Sequence, residues 1–80
     1  MNTFRNLSTI AQDIRRTWAK VYFGAVPYLS AMSSMGDIRG AYGYDSGKSV
    51  VLYFLSNATT WKGEDARRIK QELKLMLKAA

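Results

Sequence analysis

No cysteine occurs in the 80 residues of this chain, and in so short a polypeptide that absence limits how the fold can be held together. Disulfides and thiolate metal sites, the usual reinforcements of small domains, are excluded, so buried apolar side chains must carry the fold alone. A chain of this length removes only roughly 60 to 65% of its unfolded surface from water. One core fits and a second does not, so residues 1–80 are expected to form a single small domain. Histidine is absent too, which removes the usual general base, the triad partner and the commonest metal ligand together.

Apolar periodicity then sets the class. From Phe4, residues Leu7, Ile10, Ala11, Ile14, Trp18, Val21 and Tyr22 recur at spacings of three and four, one face of an amphipathic helix that Thr3 can cap and Gly24 with Pro27 can end. A short second helix is expected from Pro27, carrying Tyr28, Leu29, Ala31 and Met32 and stopping before Gly36. The stretch from Gly36 to Gly47 is rich in glycine and reads as a loop with room for positive φ. Asp45 or Ser46 can cap a third helix running to about Asn57. Val50, Val51, Phe54, Leu55 and Ala58 share one side of it, while Leu52 and Tyr53 make its other sides apolar, so this helix is expected to be central and largely enclosed. The run from Val50 to Leu55 also has the composition of a buried strand. Its only candidate partner, Val21 to Val26, is broken by Gly24 and continues a strong helix, so helix is preferred.

The last segment begins between Thr60 and Gly63, with Glu64 and Asp65 in the first turn and Lys74 and Lys78 towards the end, matching the helix dipole. Ala66, Ile69, Leu73, Met76 and Leu77 form its apolar stripe, with Lys62 along the same line. Four helices of roughly 20, 9, 12 and 17 residues predict an all-α fold, a compact bundle with a glycine-rich loop between helices 2 and 3. Trp18 and Trp61 are expected to anchor its core; exposed, they would be interface hot spots. A third helix apolar on nearly every side could complete its enclosure in a homodimer.

Twelve Lys and Arg oppose six Asp and Glu, a net charge of +6. That excess favours a polyanion as partner, although a charge of this size also serves solubility. At 100° per residue, Arg67, Lys70, Lys74 and Lys78 gather on one flank of the last helix, and Asp65 and Glu72 on the other. Arg5, Arg16 and Lys20 line the face of the first helix away from its core, giving a second basic ribbon. The loop interleaves Arg39, Tyr42, Tyr44 and Lys48 before a helix start, where tyrosines can stack on bases and N–H groups can bind phosphate. The plainer alternative has the tyrosines covering the core and Asp45 or Ser46 satisfying those N–H groups. Tyr28, Met32 and Met35 on the short second helix form a further candidate contact for a partner.

Enzymatic motifs fail on inspection. Gly43 to Ser49 (GYDSGKS) has three residues between its glycines where a phosphate-binding Walker loop needs four, and neither a preceding strand nor a parallel sheet is expected around it. Tyr44 and Lys48 have the spacing of a dehydrogenase pair, but a dinucleotide-binding fold does not fit in this chain. No catalytic residue, metal ligand or cofactor is therefore expected. The longest apolar run, Val50 to Leu55, falls far short of the roughly 18 to 20 residues that span a bilayer. The N-terminus lacks the apolar region of a secretory signal. A cytoplasmic protein with no membrane partner is the expectation.

Pro27-Tyr28-Leu29-Ser30-Ala31-Met32 and the stretch from Tyr42 to Lys70 (YGYDSGKSVVLYFLSNATTWKGEDARRIK) resemble small proteins encoded by phages and conjugative elements of Gram-positive bacteria. The likeness covers about half of the chain and brings no catalytic or ligand motif. It implies an accessory protein of a mobile element that acts by binding nucleic acid or a host factor such as a defence complex, as an anti-CRISPR inhibitor would. The leading expectation is a non-enzymatic protein engaging nucleic acid or a nucleoprotein through Arg67, Lys70, Lys74 and Lys78 with Arg5, Arg16 and Lys20. The alternatives are a protein-interaction module or inhibitor acting through Tyr28, Met32, Tyr42 and Tyr44, and capture of a nucleotide signal beside Lys48.

Overall fold

The computed structural model describes residues 5–42 and 45–79. Thr3, Phe4 and Tyr44 lie outside the described residues, as do the side chains of Tyr42 and Asp45. Four helices carry the fold: α1 (Leu7–Thr17), α2 (Val26–Ser33), α3 (Gly47–Ser56) and α4 (Glu64–Ala79). A 3-10 turn at Phe23–Ala25 leads into α2. Within the glycine-rich connection, β1 (Ala41–Tyr42) and β2 (Asp45–Ser46) form a minimal antiparallel pair, Ala41 opposite Ser46 and Tyr42 opposite Asp45. The expected all-α bundle is what forms, and Val50 to Leu55 is helix.

α1 packs against α2 and α4, and α3 packs against the same two, so the helices close a ring around one core. Leu7, Ile10, Ile14, Leu29, Met32, Phe54, Ile69 and Leu73 meet there without exposure to water. Each such side chain contributes about 1.5 to 3 kcal/mol of burial. Trp18 and Trp61 stack at 5.2 Å with an interplanar angle of 8°, and Phe54 meets both rings edge-on at 6.2 and 6.5 Å. Both indoles are buried, so they anchor the core.

That stack also accounts for where α1 ends. Its apolar period continues to Tyr22, but the helix stops at Thr17 and Trp18 turns extended, its N–H still bonded to the Ile14 carbonyl. Thr17 Oγ1 bonds back to the Asp13 carbonyl at 2.8 Å, a local competitor for the helical ladder. Trp18 thereby reaches Trp61, Val21 keeps partial contact with the core, and Tyr22 is left exposed. At the other end, Asn6 offers no side-chain cap. The carbonyls of Gly36 and Met35 instead accept the Leu7 and Ser8 N–H groups at 2.7 and 2.9 Å, so the segment after α2 satisfies the first turn of α1.

The described glycines of the connection, Gly36, Gly40 and Gly47, have no positive φ. Among the described residues only Gly63 has positive φ, at 113°, and its carbonyl accepts the Arg67 N–H at the start of α4. Gly47 is required for another reason: a Cβ there would collide with the Ile38 backbone. Met35 and Ile38 are buried, so this connection lies down on the core. Ser46 Oγ accepts the Ser49 N–H at 3.1 Å and caps α3.

Two expectations require correction. Met32 is fully buried between the helices and belongs to the core, not to a partner-binding face. α3 is not enclosed: α2 and α4 cover one side, and Leu52 and Tyr53 stand 52% and 51% exposed on the other.

Candidate functional site

The two flanks of α4 meet different fates. On the flank towards α1, Asp13 of α1 accepts from three guanidinium groups: Arg5 at 3.0 Å, Arg16 at 2.5 Å and Arg68 at 3.1 Å. Arg5 also forms a two-pronged bond to Glu72, Nε at 3.0 Å and Nη2 at 2.6 Å, and Arg68 reaches Asp65 at 3.1 Å. The order of these links, Asp13 with Arg68 and Arg5 with Glu72, sets α1 and α4 antiparallel. The Arg68 hydrogen bond, against the cost of burial and with help from Arg5, holds the Asp13 carboxyl down at about 2. Arg5 is raised above its ordinary value chiefly by Glu72.

This network removes the second basic ribbon. Arg5 precedes the Asn6 cap and bridges to α4, Arg16 is bonded to Asp13, and Lys20 lies beyond the end of α1. They do not line one helix face, because α1 is shorter than its apolar period and its arginines are drawn to the carboxylates. Asp13, Glu72 and Asp65 are in turn each bonded to at least one guanidinium group. Among the described residues no group of three or more Asp, Glu, His or Cys is placed to hold a metal.

The other flank keeps its charge. Arg67, Lys74 and Lys78 are exposed, and among the described residues none of them pairs with a carboxylate. Lys70 is half-buried; its Nζ donates to the Trp61 carbonyl at 2.6 Å and lies 5.9 Å from the Trp61 ring centroid. Burial lowers its pKa, and the charges of Lys74 and Lys62 lower it further. Lys62 and Lys74 therefore each act on the Lys70 ammonium as like charges.

The loop residues are less assembled. Arg39 folds onto Asp37 through its backbone N–H and its guanidinium, at 2.8 to 3.2 Å. That pairing raises Arg39 and holds the exposed Asp37 at about 2. Lys48 is exposed at the start of α3, where the Gly47 and Ser49 N–H groups are already taken by Gly40 and Ser46. Tyr28 is half-buried, its ring 5.4 Å from that of Tyr53. What sequence reasoning missed is an apolar surface beyond the loop: Phe23 is 79% exposed, and Tyr22, Val26, Leu52 and Tyr53 stand out with it. Phe23 falls off every apolar stripe, which was the available signal.

Comparison with protein-family models, with curated proteins and with solved structures finds no significant match for this chain. No helix among the described residues is long and apolar enough to cross a membrane.

Proposed function

We propose that this chain is a non-enzymatic binding protein that engages nucleic acid, bare or within a nucleoprotein, through Lys62, Arg67, Lys70, Lys74 and Lys78. The observation that carries the reading is the sorting of charge on α4. Its acidic flank is neutralised by arginine, while its basic flank keeps exposed cations without a carboxylate partner among the described residues, a charge that a row of phosphates would complement. No histidine or cysteine supplies a reaction centre, and the resemblance to proteins of mobile elements suggests an accessory role of this kind in the cytoplasm.

The test is binding of labelled DNA and RNA as salt is raised. Affinity should fall linearly on a double-logarithmic plot, at roughly 0.7 to 0.9 per phosphate contacted. Charge reversal of Arg67, Lys74 and Lys78 should abolish binding at low salt with helicity retained. No binding of any nucleic acid at low salt rejects the proposal. A second reading, a protein-interaction module that inhibits a host factor, would be favoured by a complex that resists high salt.

A further inference from the structure

Part of the exposed apolar surface forms a strip along α2 and the end of α3. Tyr22 and Phe23 hold their rings 4.8 Å apart, and Tyr28 and Tyr53 hold theirs 5.4 Å apart. Asn57 joins the two pairs. Its Nδ2 donates to the Tyr53 carbonyl at 2.8 Å, and a Cβ on Gly24 would touch both its Oδ1 and the Tyr22 ring. Gly24 thus lets the turn carrying Tyr22 and Phe23 settle against the end of α3.

The position of this strip relative to the lysines follows from the ring of helices. α4 meets α1 through Arg68, bonded to Asp13, and the residue ahead of α1 through Glu72, bonded to Arg5, so its opposite flank, with Lys70 and Lys74, faces α3. On α3, Tyr53 and Asn57 border α2, while Lys48, Leu52 and Leu55 lie on the side towards α4. A path across the surface therefore runs from the α4 lysines over Lys48 and Leu52 to Tyr53, then to Tyr28 and the Tyr22–Phe23 pair.

From this juxtaposition of a cationic row and an aromatic strip, we infer that the ligand is single-stranded nucleic acid, its phosphates along α4 and its bases on Tyr53, Tyr22 and Phe23. The inference rests on the proposed function and narrows its ligand. A duplex keeps its bases stacked internally and offers nothing to exposed rings. Unpaired bases present faces that stack on Tyr and Phe whatever their sequence, and the lysines supply the charge complement that a purely apolar partner would leave unmatched.

Fluorescence anisotropy should compare a labelled single strand of roughly 15 nucleotides, within the usual reach of one small domain, with the same sequence as a duplex. The single strand should bind at least about tenfold more tightly. Phe23→Ala with Tyr53→Ala should weaken the single strand at least about fivefold and leave the duplex unchanged; both side chains are half or more exposed, so the fold should tolerate the change. Phe23→Trp should retain binding. Equal affinity for both forms, or indifference to the aromatic variants while charge reversal on α4 still abolishes binding, overturns this inference and spares the proposed function. Failure to bind any nucleic acid overturns both. A homodimer dispersed by Phe23→Ala, seen by light scattering, would assign the strip to a second copy and overturn the inference as well.

Discussion

At the scale of single residues the most consequential group is Asp13. It is only 8% exposed, covered in large part by the guanidinium groups that bind it. Removing the charge leaves three arginines without their shared acceptor, so Asp13→Asn should lower stability by about 1 to 2 kcal/mol, discounted because Arg16 and Arg68 are open to solvent. Acid should do the same. Because the folded carboxyl is depressed from 3.8 to about 2, its contribution is complete above the unfolded value and is lost as pH falls through about 2. Thermal melts should fall more steeply with acidification from about pH 4 to pH 2 in the parent than in Asp13→Asn. Parallel slopes would show that this carboxylate contributes no acid-sensitive stability.

Among the elements, α4 holds its structural and its binding charges on opposite flanks, and single substitutions should separate them. Arg68→Ala should lower Tm, because Asp13 and Asp65 both lose a donor, with nucleic-acid affinity nearly unchanged. Lys74→Ala should leave Tm in place and weaken binding. Melting curves and anisotropy titrations on the two variants decide the matter, and matching losses in both would mean that the flanks are not independent. The two flanks and the apolar stripe between them were legible in the sequence, because helical spacing alone assigns them. That Arg5 and Arg16 belong to the structural side was not, since it depends on Asp13 facing α4 across the helix contact. The length of α1 was hidden for a similar reason: its apolar period runs on through Val21, while the chain turns at Trp18 to reach a ring that lies 43 positions later, at Trp61. The exposure of Leu52 and Tyr53 was likewise invisible, because composition marks a residue as apolar without showing which neighbour covers it; that of Phe23 was signalled only by its falling off the apolar stripes.

For the whole molecule, the two kinds of cation divide the labour. Six arginines match six carboxylates in number, and six lysines supply the entire net charge of +6. Every ion pair among the described residues uses arginine, including both that tie α4 to α1 at Asp13 and to Arg5 just ahead of it at Glu72. Lysine contributes to the fold through Lys70, whose bond to the Trp61 carbonyl an acetylated amide nitrogen can still donate. Exhaustive acetylation of the lysines should therefore remove the net positive charge, and with it the long-range attraction for phosphates, while leaving the arginine network and the core in place. The expected outcome is unchanged helical circular dichroism, a melting temperature close to that of the parent and no detectable binding of single-stranded nucleic acid at low salt. Dimethylation of the same lysines, which keeps their charge, should preserve binding. Acetylated protein that still binds, and keeps binding when Arg67→Glu is added, would place the contact on the paired arginines and move the interface to the α1 side of α4; acetylated protein that unfolds would mean that the lysines carry structure which the ion pairs do not reveal.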